Sequence, residues 1–363
     1  MKKCRTCLLP EAVPDACLDA QGICAHCRSK TALGTGPDRD DAYLRDLEAT
    51  LKNGRRAGQG GYDCLVPLSG GKDSLYLLYK LKVEYGLRVL AYTTNIDLPK
   101  VAWSNIRTTL AKLDIDHVVY SPSPGFIRKL LRYLLRNQEA RGAVYTVSYV
   151  YAPLFEGDAI RLAIEKDIPL ILAGYSPGQP DPSRMRYEFS PRLIREEDWT
   201  PPHLRACGEF GDDELAHFFN PRELPADTRF PRYLAPYHAW DYDQNEVMRK
   251  VTELGLVKRG AHASPILSNY PINWLMMYSD LKHFRYNPYA PEFSALIRQG
   301  KASLAYWRMM GPLVDFMIRH RVLLGREVTR CLNWLDLRAE DLRIRLPEGA
   351  YDPPLLRAGG AKI

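Results

Sequence analysis

The sequence reads Asp63-Cys64-Leu65-Val66-Pro67-Leu68-Ser69-Gly70-Gly71-Lys72-Asp73-Ser74 at its most informative point. The first half of this stretch is a short apolar run, and the second half is a glycine-rich turn. A segment rich in leucine then extends from Leu75 to Leu81 and stops at Gly86. The pattern predicts a strand that leads through a tight turn directly into the N-terminus of a helix.

The turn at residues 69–74 combines groups that suit a phosphate. Glycines let the backbone approach an anion closely, and the N–H groups and dipole of a helix N-terminus favour negative charge. Lys72 adds a cation, and a carboxylate such as Asp73 suits this position when Mg²⁺ lies between it and the phosphate. The residues that we predict to hold the phosphates are Ser69, Gly70, Gly71 and Ser74.

The loop does not have the spacing of a Walker A motif, which places four residues between its first glycine and its Gly-Lys pair. It resembles instead the Ser-Gly-Gly-x-Asp-Ser signature of the PP-loop ATP pyrophosphatases. That resemblance implies that ATP is split between its α- and β-phosphates, with Lys72 and Asp73 as catalytic residues. It also implies that adenine lies against the end of the second strand, at Thr93, Thr94 and Asn95.

Strand-like and helix-like segments alternate from Tyr62 to Ser176. The β-rich runs are Tyr62–Leu68, Arg88–Thr94, His117–Tyr120 and Pro169–Ala173. This alternation predicts an α/β fold with a mainly parallel sheet covered by helices on both faces. Because ligands bind at the carboxyl ends of such strands, we expect the loops after them, including Gly174, to contact the nucleotide.

Two Cys-x-x-Cys pairs stand near the start of the chain, and sixteen residues separate them. This spacing is typical of a four-cysteine zinc knuckle. Because four thiolates complete the coordination of the ion, we predict structural Zn²⁺ that stabilises a segment too polar to bury a core. The predicted ligands are Cys4, Cys7, Cys24 and Cys27.

Composition divides the chain into five predicted parts. They are the knuckle at 1–33, a helix and linker at 34–61, the PP-loop domain at 62–180, a substrate-binding and mostly helical region at 181–345, and a tail at 346–363. Within them we expect a helix at Asp41–Lys52 before the linker, and irregular substrate loops at 180–236, which are rich in proline and arginine. Glu156 and Asp158 are expected to open a helix after Pro153.

The composition of the chain indicates where the protein is located and which partners it binds. No run approaches the roughly 20 apolar residues of a spanning helix, and the N-terminus has no apolar core of a secretory signal, so we expect a cytoplasmic protein without membrane contact. The net charge of +7 is spread along the chain and suits a small phosphate-bearing substrate, whereas the absence of a basic tract disfavours nucleic acid. A homodimer is left open.

The knuckle, the loop and a C-terminal stretch from Trp240-Asp241-Tyr242-Asp243 through Ile297-Arg298-Gln299-Gly300 together resemble the N-acetyl sugar amidotransferase family of bacterial surface-polysaccharide synthesis. The resemblance implies a Rossmann-like (HUP-type) fold and an AMP-forming reaction. In that reaction an acetamido carbonyl is adenylated, and ammonia from a partner glutaminase then displaces AMP. The acceptor would be an N-acetyl sugar nucleotide or a specialised metabolite.

Two segments, Ala143–Val150 and Gly174–Gln179, depart from that family in expected substrate loops, so the acceptor stays open. The first of them lacks an expected cysteine-bearing motif. Sulfur insertion into a tRNA base or a small molecule is the alternative reaction, although Cys64, Cys207 and Cys331 are isolated and form no catalytic pair. A third hypothesis is a non-enzymatic module that only binds nucleotide.

Overall fold

Parallel strands and flanking helices make up most of the chain. The computed structural model describes residues 1–29, 41–57, 61–176, 185–257, 270–300 and 302–352. Its strands are β1 Cys64–Pro67, β2 Val89–Thr94, β3 Asp116–Tyr120, β4 Gln138–Glu139, β5 Leu170–Leu172, β6 Arg232–Leu234 and β7 Ile344–Leu346. Its α-helices are α1 Ala25–Arg28, α2 Asp41–Ala57, α3 Lys72–Tyr79, α4 Lys100–Leu113, α5 Pro124–Arg136, α6 Ala143–Glu165, α7 Pro191–Glu196, α8 Pro202–Ala206, α9 Asp212–Leu215, α10 Gln244–Glu253, α11 Ile272–Phe284, α12 Ala290–Arg298, α13 Leu304–His320 and α14 Arg326–Leu335.

The main sheet has the strand order β3-β2-β1-β5-β6, and every neighbouring pair is parallel. The α/β fold predicted from the sequence is therefore confirmed, and the four predicted strands begin and end within two residues of their expected bounds. Because the connections run to opposite sides of β1, a crevice is expected at the carboxyl ends of β1 and β5. The glycine-rich turn follows β1 at this point.

The core of the main sheet explains why β1 is a continuous apolar run. Leu65 and Val66 are fully buried, as expected for a central parallel strand with helices over both faces. The start of the strand is held by Asp63, which accepts hydrogen bonds from the backbone N–H of Arg88 at 2.8 Å and from its Nη2 at 2.7 Å. Tyr233, Phe189 and other aromatic side chains pack into the same core.

Residues 185–236 are more regular than the sequence suggests. They contain three short helices and strand β6, which extends the sheet beyond β5. The β6 strand was missed because it has only three residues and begins with a charged one, Arg232, whose guanidinium is bound by Asp46 and Glu188. The expected linker is also partly wrong, since α2 continues to Ala57. Residues 177–184 of the predicted loops lie outside the described residues.

Helix α6 corrects two expectations. Ala143–Val150 is the first part of this helix and not a substrate loop, and Glu156 and Asp158 lie in its interior and not at its start. Pro153 is accommodated within the helix. The beginning of α6 is set instead by Asp280, whose carboxylate accepts hydrogen bonds from the backbone N–H groups of Ala143 and Val144 at 2.5 and 3.0 Å.

Two compact units make up the chain. One consists of Arg39–Ile127, Ser148–Asn269 and Pro347–Ile363 and contains the main sheet. The other consists of Met1–Asp38, Arg128–Val147 and Tyr270–Leu346. In the second unit β4 pairs with β7, and α11 packs against α13 and α14. The five-part division predicted from composition stays a prediction.

The helices were also compared with the length and polarity of membrane spans. Among the described residues, no helix is both long enough and apolar enough to cross a bilayer. The longest, α6, carries charged residues in its second half.

Candidate active site

The phosphate loop is a closed turn between β1 and α3. The Oγ of Ser69 accepts a hydrogen bond from the N–H of Gly71 at 3.3 Å, and the Oγ of Ser74 donates to the carbonyl of Gly71 at 3.1 Å. The two serine hydroxyls lie 3.5 Å apart. Among the described residues, no side chain caps the first turn of α3. The loop therefore brings together two hydroxyls and a helix N-terminus, the groups that bind phosphate.

Two glycines allow the backbone to approach closely around this loop. Gly70 has a φ of +75°, and a Cβ atom there would lie 2.7 Å from the carbonyl oxygen of Ala102. Gly174 follows β5, and a Cβ atom there would lie 2.8 Å from the backbone N and Cα of Ser74. Gly174, predicted to contact the nucleotide, is thus brought directly against the loop.

The end of β2, where the family resemblance places adenine, lies beside the same loop. Thr93 is buried, and its Oγ1 donates to the carbonyl of Leu68 at 3.2 Å and lies 2.8 Å from the Nε2 of His117. Thr94 donates to the hydroxyl of Tyr92 at 2.9 Å. The N–H of Asn95 is bound by the carbonyl at the end of β3. These contacts fix the ends of the three neighbouring strands.

Lys72 and Asp73 are paired, and a tyrosine from a distant part of the chain joins them. The Nζ of Lys72 lies 2.5 Å from the Oδ2 of Asp73 and 3.2 Å from the hydroxyl of Tyr242. Tyr242 in turn donates to the Oδ1 of Asp73 at 2.7 Å. The hydroxyl of Tyr237 binds the backbone carbonyl of Asp73 at 2.9 Å. Lys72 and Asp73, which the sequence predicts to be catalytic, therefore both contact Tyr242.

The segment that carries Tyr242 is anchored beside α3 by aromatic contacts. The rings of Tyr237 and Tyr242 lie 5.2 Å apart. Trp240 stacks on Tyr85 at 5.7 Å, and the ammonium of Lys80 lies 4.6 Å from its ring centre. The sequence had marked residues 240–243 only through the family resemblance. The preceding aromatic pattern carries no phosphate-binding signature, so Tyr242 could not be predicted from its local sequence.

Helix α6 contributes two acidic residues near the carboxyl ends of the strands. Glu156 accepts a hydrogen bond from the hydroxyl of Tyr175 at 2.8 Å. Asp158 shares a small pocket with Thr94 and His217. Burial raises the pKa of Asp158 to about 7, against the opposing effect of nearby Arg161. Asp158 can therefore exchange a proton near neutral pH.

The four predicted zinc ligands converge in the second unit. Their sulfur atoms all lie within 4.8 Å of one another, with 3.8 Å between Cys4 and Cys27 and 3.6 Å between Cys7 and Cys24. Four sulfurs at about 2.3 Å from one tetrahedral ion would lie about 3.8 Å apart, so the group fits a single Zn²⁺. A four-iron cluster places its thiolates outside a cube and needs wider spacing.

The surroundings of the cysteine group support its role as a closed structural site. Arg298 donates from Nη1 to the Sγ of Cys7 at 3.3 Å, and the backbone N–H of Cys24 donates to the Sγ of Cys4 at 3.3 Å. Hydrogen bonds of this kind orient thiolates around a metal. Leu9 and Ile297 pack against the group. Its four thiolates leave no position for a substrate.

The isolated cysteines do not form a second group within the described residues. Cys64 is fully buried in β1, where burial raises the pKa of its thiol and so disfavours the reactive thiolate. Cys331 is buried in α14. Cys207 is half-buried and donates to the carbonyl of Leu204 at 3.2 Å.

No protein-family model and no curated protein matches the chain. Among solved structures, it is similar to the U34-tRNA thiolase NcsA from Methanococcus maripaludis with its iron–sulfur cluster, at 15% identity and a TM-score of 0.34, over 100% of this chain and 94% of that one. It is similar to NMN synthetase from Francisella tularensis at 13% identity and a TM-score of 0.35, over 84% and 96% of the two chains.

An NH3-dependent NAD synthetase from Campylobacter jejuni is similar at 15% identity and a TM-score of 0.31, over 80% of this chain and 95% of that one. TM-scores this low do not establish a shared reaction. We therefore infer the function from the geometry of the loop and its neighbours.

Proposed function

We propose that the chain is an ATP-dependent, AMP-forming enzyme of the PP-loop ATP pyrophosphatase superfamily. The observation that carries the proposal is the closed turn after β1, in which Ser69 and Ser74 place their hydroxyls 3.5 Å apart at a helix N-terminus. Gly174 lets β5 end directly against this turn. Such a site suits the pyrophosphate part of ATP better than a single phosphate, because hydroxyl and N–H donors line several positions.

In this proposal the residues of the loop position ATP and neutralise charge. Ser69, Gly70, Gly71 and Ser74 hold the β- and γ-phosphates, and Lys72 stabilises the charge that develops on the departing pyrophosphate. Asp73 would hold Mg²⁺, which supplies charge neutralisation at the phosphates. Adenine would lie against Thr93, Thr94 and Asn95. Phosphate chemistry of this kind depends on positioning and electrostatics more than on a covalent step by the protein.

The second half of the proposed reaction concerns the acceptor. A carbonyl oxygen of the substrate attacks the α-phosphorus, and the bond to pyrophosphate breaks. A nitrogen nucleophile such as ammonia then adds to the activated carbon, and AMP leaves with the original oxygen. We propose an N-acetyl sugar nucleotide or a specialised metabolite as acceptor, with a partner glutaminase or another protein as the nitrogen donor.

Nitrogen is favoured over sulfur by the surroundings of the described cysteines. A sulfur-inserting mechanism needs reactive thiolates at the site, whereas Cys64 is fully buried in β1 and the knuckle cysteines are arranged for a single ion. Cys207, which is half-buried, keeps sulfur insertion as the competing reaction.

An assay of AMP and pyrophosphate release tests the proposal. The purified chain would be incubated with Mg²⁺-ATP and a panel of N-acetyl sugar nucleotides, with ammonium, with sulfide, or with neither. We expect acceptor-dependent release that ammonium supports. Lys72→Ala and Asp73→Ala should each lower the rate by about 100-fold or more, since each removes a group that stabilises the transition state.

Lys166→Ala is the matched control, because Lys166 is exposed at the end of α6, and it should keep the wild-type rate. Normal pyrophosphate release by the Lys72 and Asp73 variants would contradict the assignment of the loop. Release supported by sulfide alone would instead favour thiolation.

A further inference from the structure

Helix α13 carries a row of apolar side chains that face solvent. The exposed fractions are 45% for Tyr306, 67% for Met309, 44% for Leu313 and 53% for Phe316. His320 is also exposed, and its ring lies 4.3 Å from that of Phe316. We call these five residues the seam.

The seam is separate from the face by which α13 packs into its own unit. Val314, Met317 and Ile318 are buried and form that inner face. A helix at the surface of a globular unit needs only one apolar stripe. The seam is therefore a second apolar stripe, whose side chains are about half or more exposed to solvent in the unit to which it belongs.

Three further apolar side chains are exposed directly after the end of the helix. Arg321, with a φ of 56°, ends α13, and the next residues, Val322, Leu323 and Leu324, are 38%, 68% and 47% exposed. With whole side chains of this size presenting about 200 Å², the exposed apolar surface of the seam and these three residues together amounts to on the order of 600 Å². Monomers rarely expose larger apolar patches, and a stable interface buries about 800 Å² per partner.

The spacing of the seam indicates what covers it. Its residues alternate three and four positions apart, which is the spacing of the apolar seam in a coiled coil. The positions of the row, though not its residue types, are nearly symmetric about Leu313: Tyr306 and His320 lie seven residues away on either side, and Met309 and Phe316 lie four and three residues away. A two-fold axis at Leu313 would therefore pair equivalent positions of two antiparallel helices, as self-complementary interfaces require.

We propose that the chain forms a homodimer in which α13 packs antiparallel against α13 of a second copy, with the two-fold axis at Leu313. In this arrangement Leu313 meets Leu313, Met309 of one copy meets Phe316 of the other, and Tyr306 meets His320. Methionine sulfur packs well on aromatic rings, and the tyrosine hydroxyl and the imidazole can share a hydrogen bond.

The charged residues beside the seam favour a second copy over an acidic partner or an anionic membrane. Arg308 and Arg319 lie along one edge of the helix, and each is already engaged within its own unit. Arg308 donates to the carbonyl of Arg5 at 3.3 Å, and Arg319 donates to the carbonyl of Arg285 at 2.9 Å. The seam itself contains no carboxylate or guanidinium among its five residues.

Sedimentation velocity of the full chain from about 0.1 to 100 µM tests the proposal. We expect a dimer whose dissociation constant rises at least about 100-fold in Leu313→Glu, because two carboxylates would be buried together at the axis. Val83→Glu is the control, since Val83 is 51% exposed in the other unit, and it should stay dimeric. Circular dichroism would verify that each variant is folded.

Crosslinking tests the register. Leu313→Cys should give covalent dimers with a short bismaleimide, and Tyr306→Cys should do so only when mixed with His320→Cys. The unsubstituted chain sets the background from exposed Cys17. A monomer at 100 µM, a dimer unchanged by Leu313→Glu, or a monomer that binds anionic phosphatidylglycerol vesicles through the seam would overturn the proposal.

Discussion

Gly174 illustrates how one residue at the end of β5 can limit the shape of the phosphate loop. The missing side chain leaves room for the backbone of Ser74, which a Cβ atom would approach to 2.8 Å. The obstacle is backbone and not the end of a flexible side chain, so it cannot rotate away. The loop and the strand would have to separate.

We therefore expect Gly174→Ala to weaken the use of ATP while the chain stays folded. Overpacking of this kind costs about 1–3 kcal/mol, which corresponds to roughly a 5- to 150-fold loss in kcat/KM for ATP. Steady-state pyrophosphate release at varied ATP would measure it. Gly211→Ala is the control, because a Cβ atom there meets nothing within 4 Å. Equal kinetics for the two variants would show that the close approach is unimportant.

For individual residues, the sequence predicted the phosphate loop but not all of the side chains that contact it. Ser69 to Ser74 are contiguous, so their short motif is enough to predict phosphate binding. Tyr242 lies 169 residues after Asp73, and nothing in its local pattern distinguishes a tyrosine that binds a carboxylate of the phosphate loop from one that fills a core. Contacts across such separations depend on the path of the whole chain.

Among the elements, the N-terminal segment with the four-cysteine group depends on side chains and not on regular structure. Its longest helix, α1, has four residues and no buried side chain. Arg298 and Ile297 from α12 contact the cysteine group from outside. A metal ion would therefore contribute much of the stability of this segment.

We predict that the purified chain binds one equivalent of zinc and that Cys24→Ser abolishes or strongly weakens this binding. Three remaining thiolates leave the tetrahedral shell incomplete. Elemental analysis after dialysis would measure the zinc content. Cys17→Ser should keep a full equivalent, since Cys17 is exposed and does not belong to the group. Stoichiometric iron and sulfide in place of zinc would contradict the prediction.

The periodicity of apolar residues predicted some of the helices and strands but not others. Strands β1, β2, β3 and β5 and the helix after the phosphate loop were predicted, since their sequences have clear apolar or β-rich patterns. Strand β6 was not, because Arg232 is stabilised by carboxylates distant in sequence and gives no β signal of its own. Helix α6 was misplaced because Pro153 suggested a helix start, whereas Asp280 caps the helix ten residues earlier at Ala143.

For the molecule as a whole, the buried carboxyl group of Asp280 makes the stability of the fold depend on pH. Burial raises the pKa of Asp280 to about 7, although two backbone N–H groups act in the opposite direction. The folded chain therefore holds a proton that the unfolded chain, with a usual pKa near 3.9, has already released. The stability that the protonated carboxyl group of Asp280 confers on the folded chain is fully present below about pH 4. It is lost as the pH rises through 7.

We expect wild type to lose stability relative to Asp280→Asn as the pH rises from about 4 to 7, by about 2 to 4 kcal/mol. Urea unfolding at several pH values would measure the free energy of unfolding of both proteins. Asp336→Asn is the control, because that side chain is 72% exposed. A constant difference between wild type and Asp280→Asn across this range would show that the carboxyl does not titrate there.

The contact between Arg298 and Cys7 spans 291 residues of sequence, and this has a consequence for biosynthesis. At roughly 5–20 residues per second, a ribosome needs on the order of 15 to 60 s after Cys7 before Arg298 is made. During that interval the four thiols, all made early, can capture their ion long before α12 exists to cover them. The supply of zinc during translation should therefore affect the yield of folded protein more than zinc added afterwards.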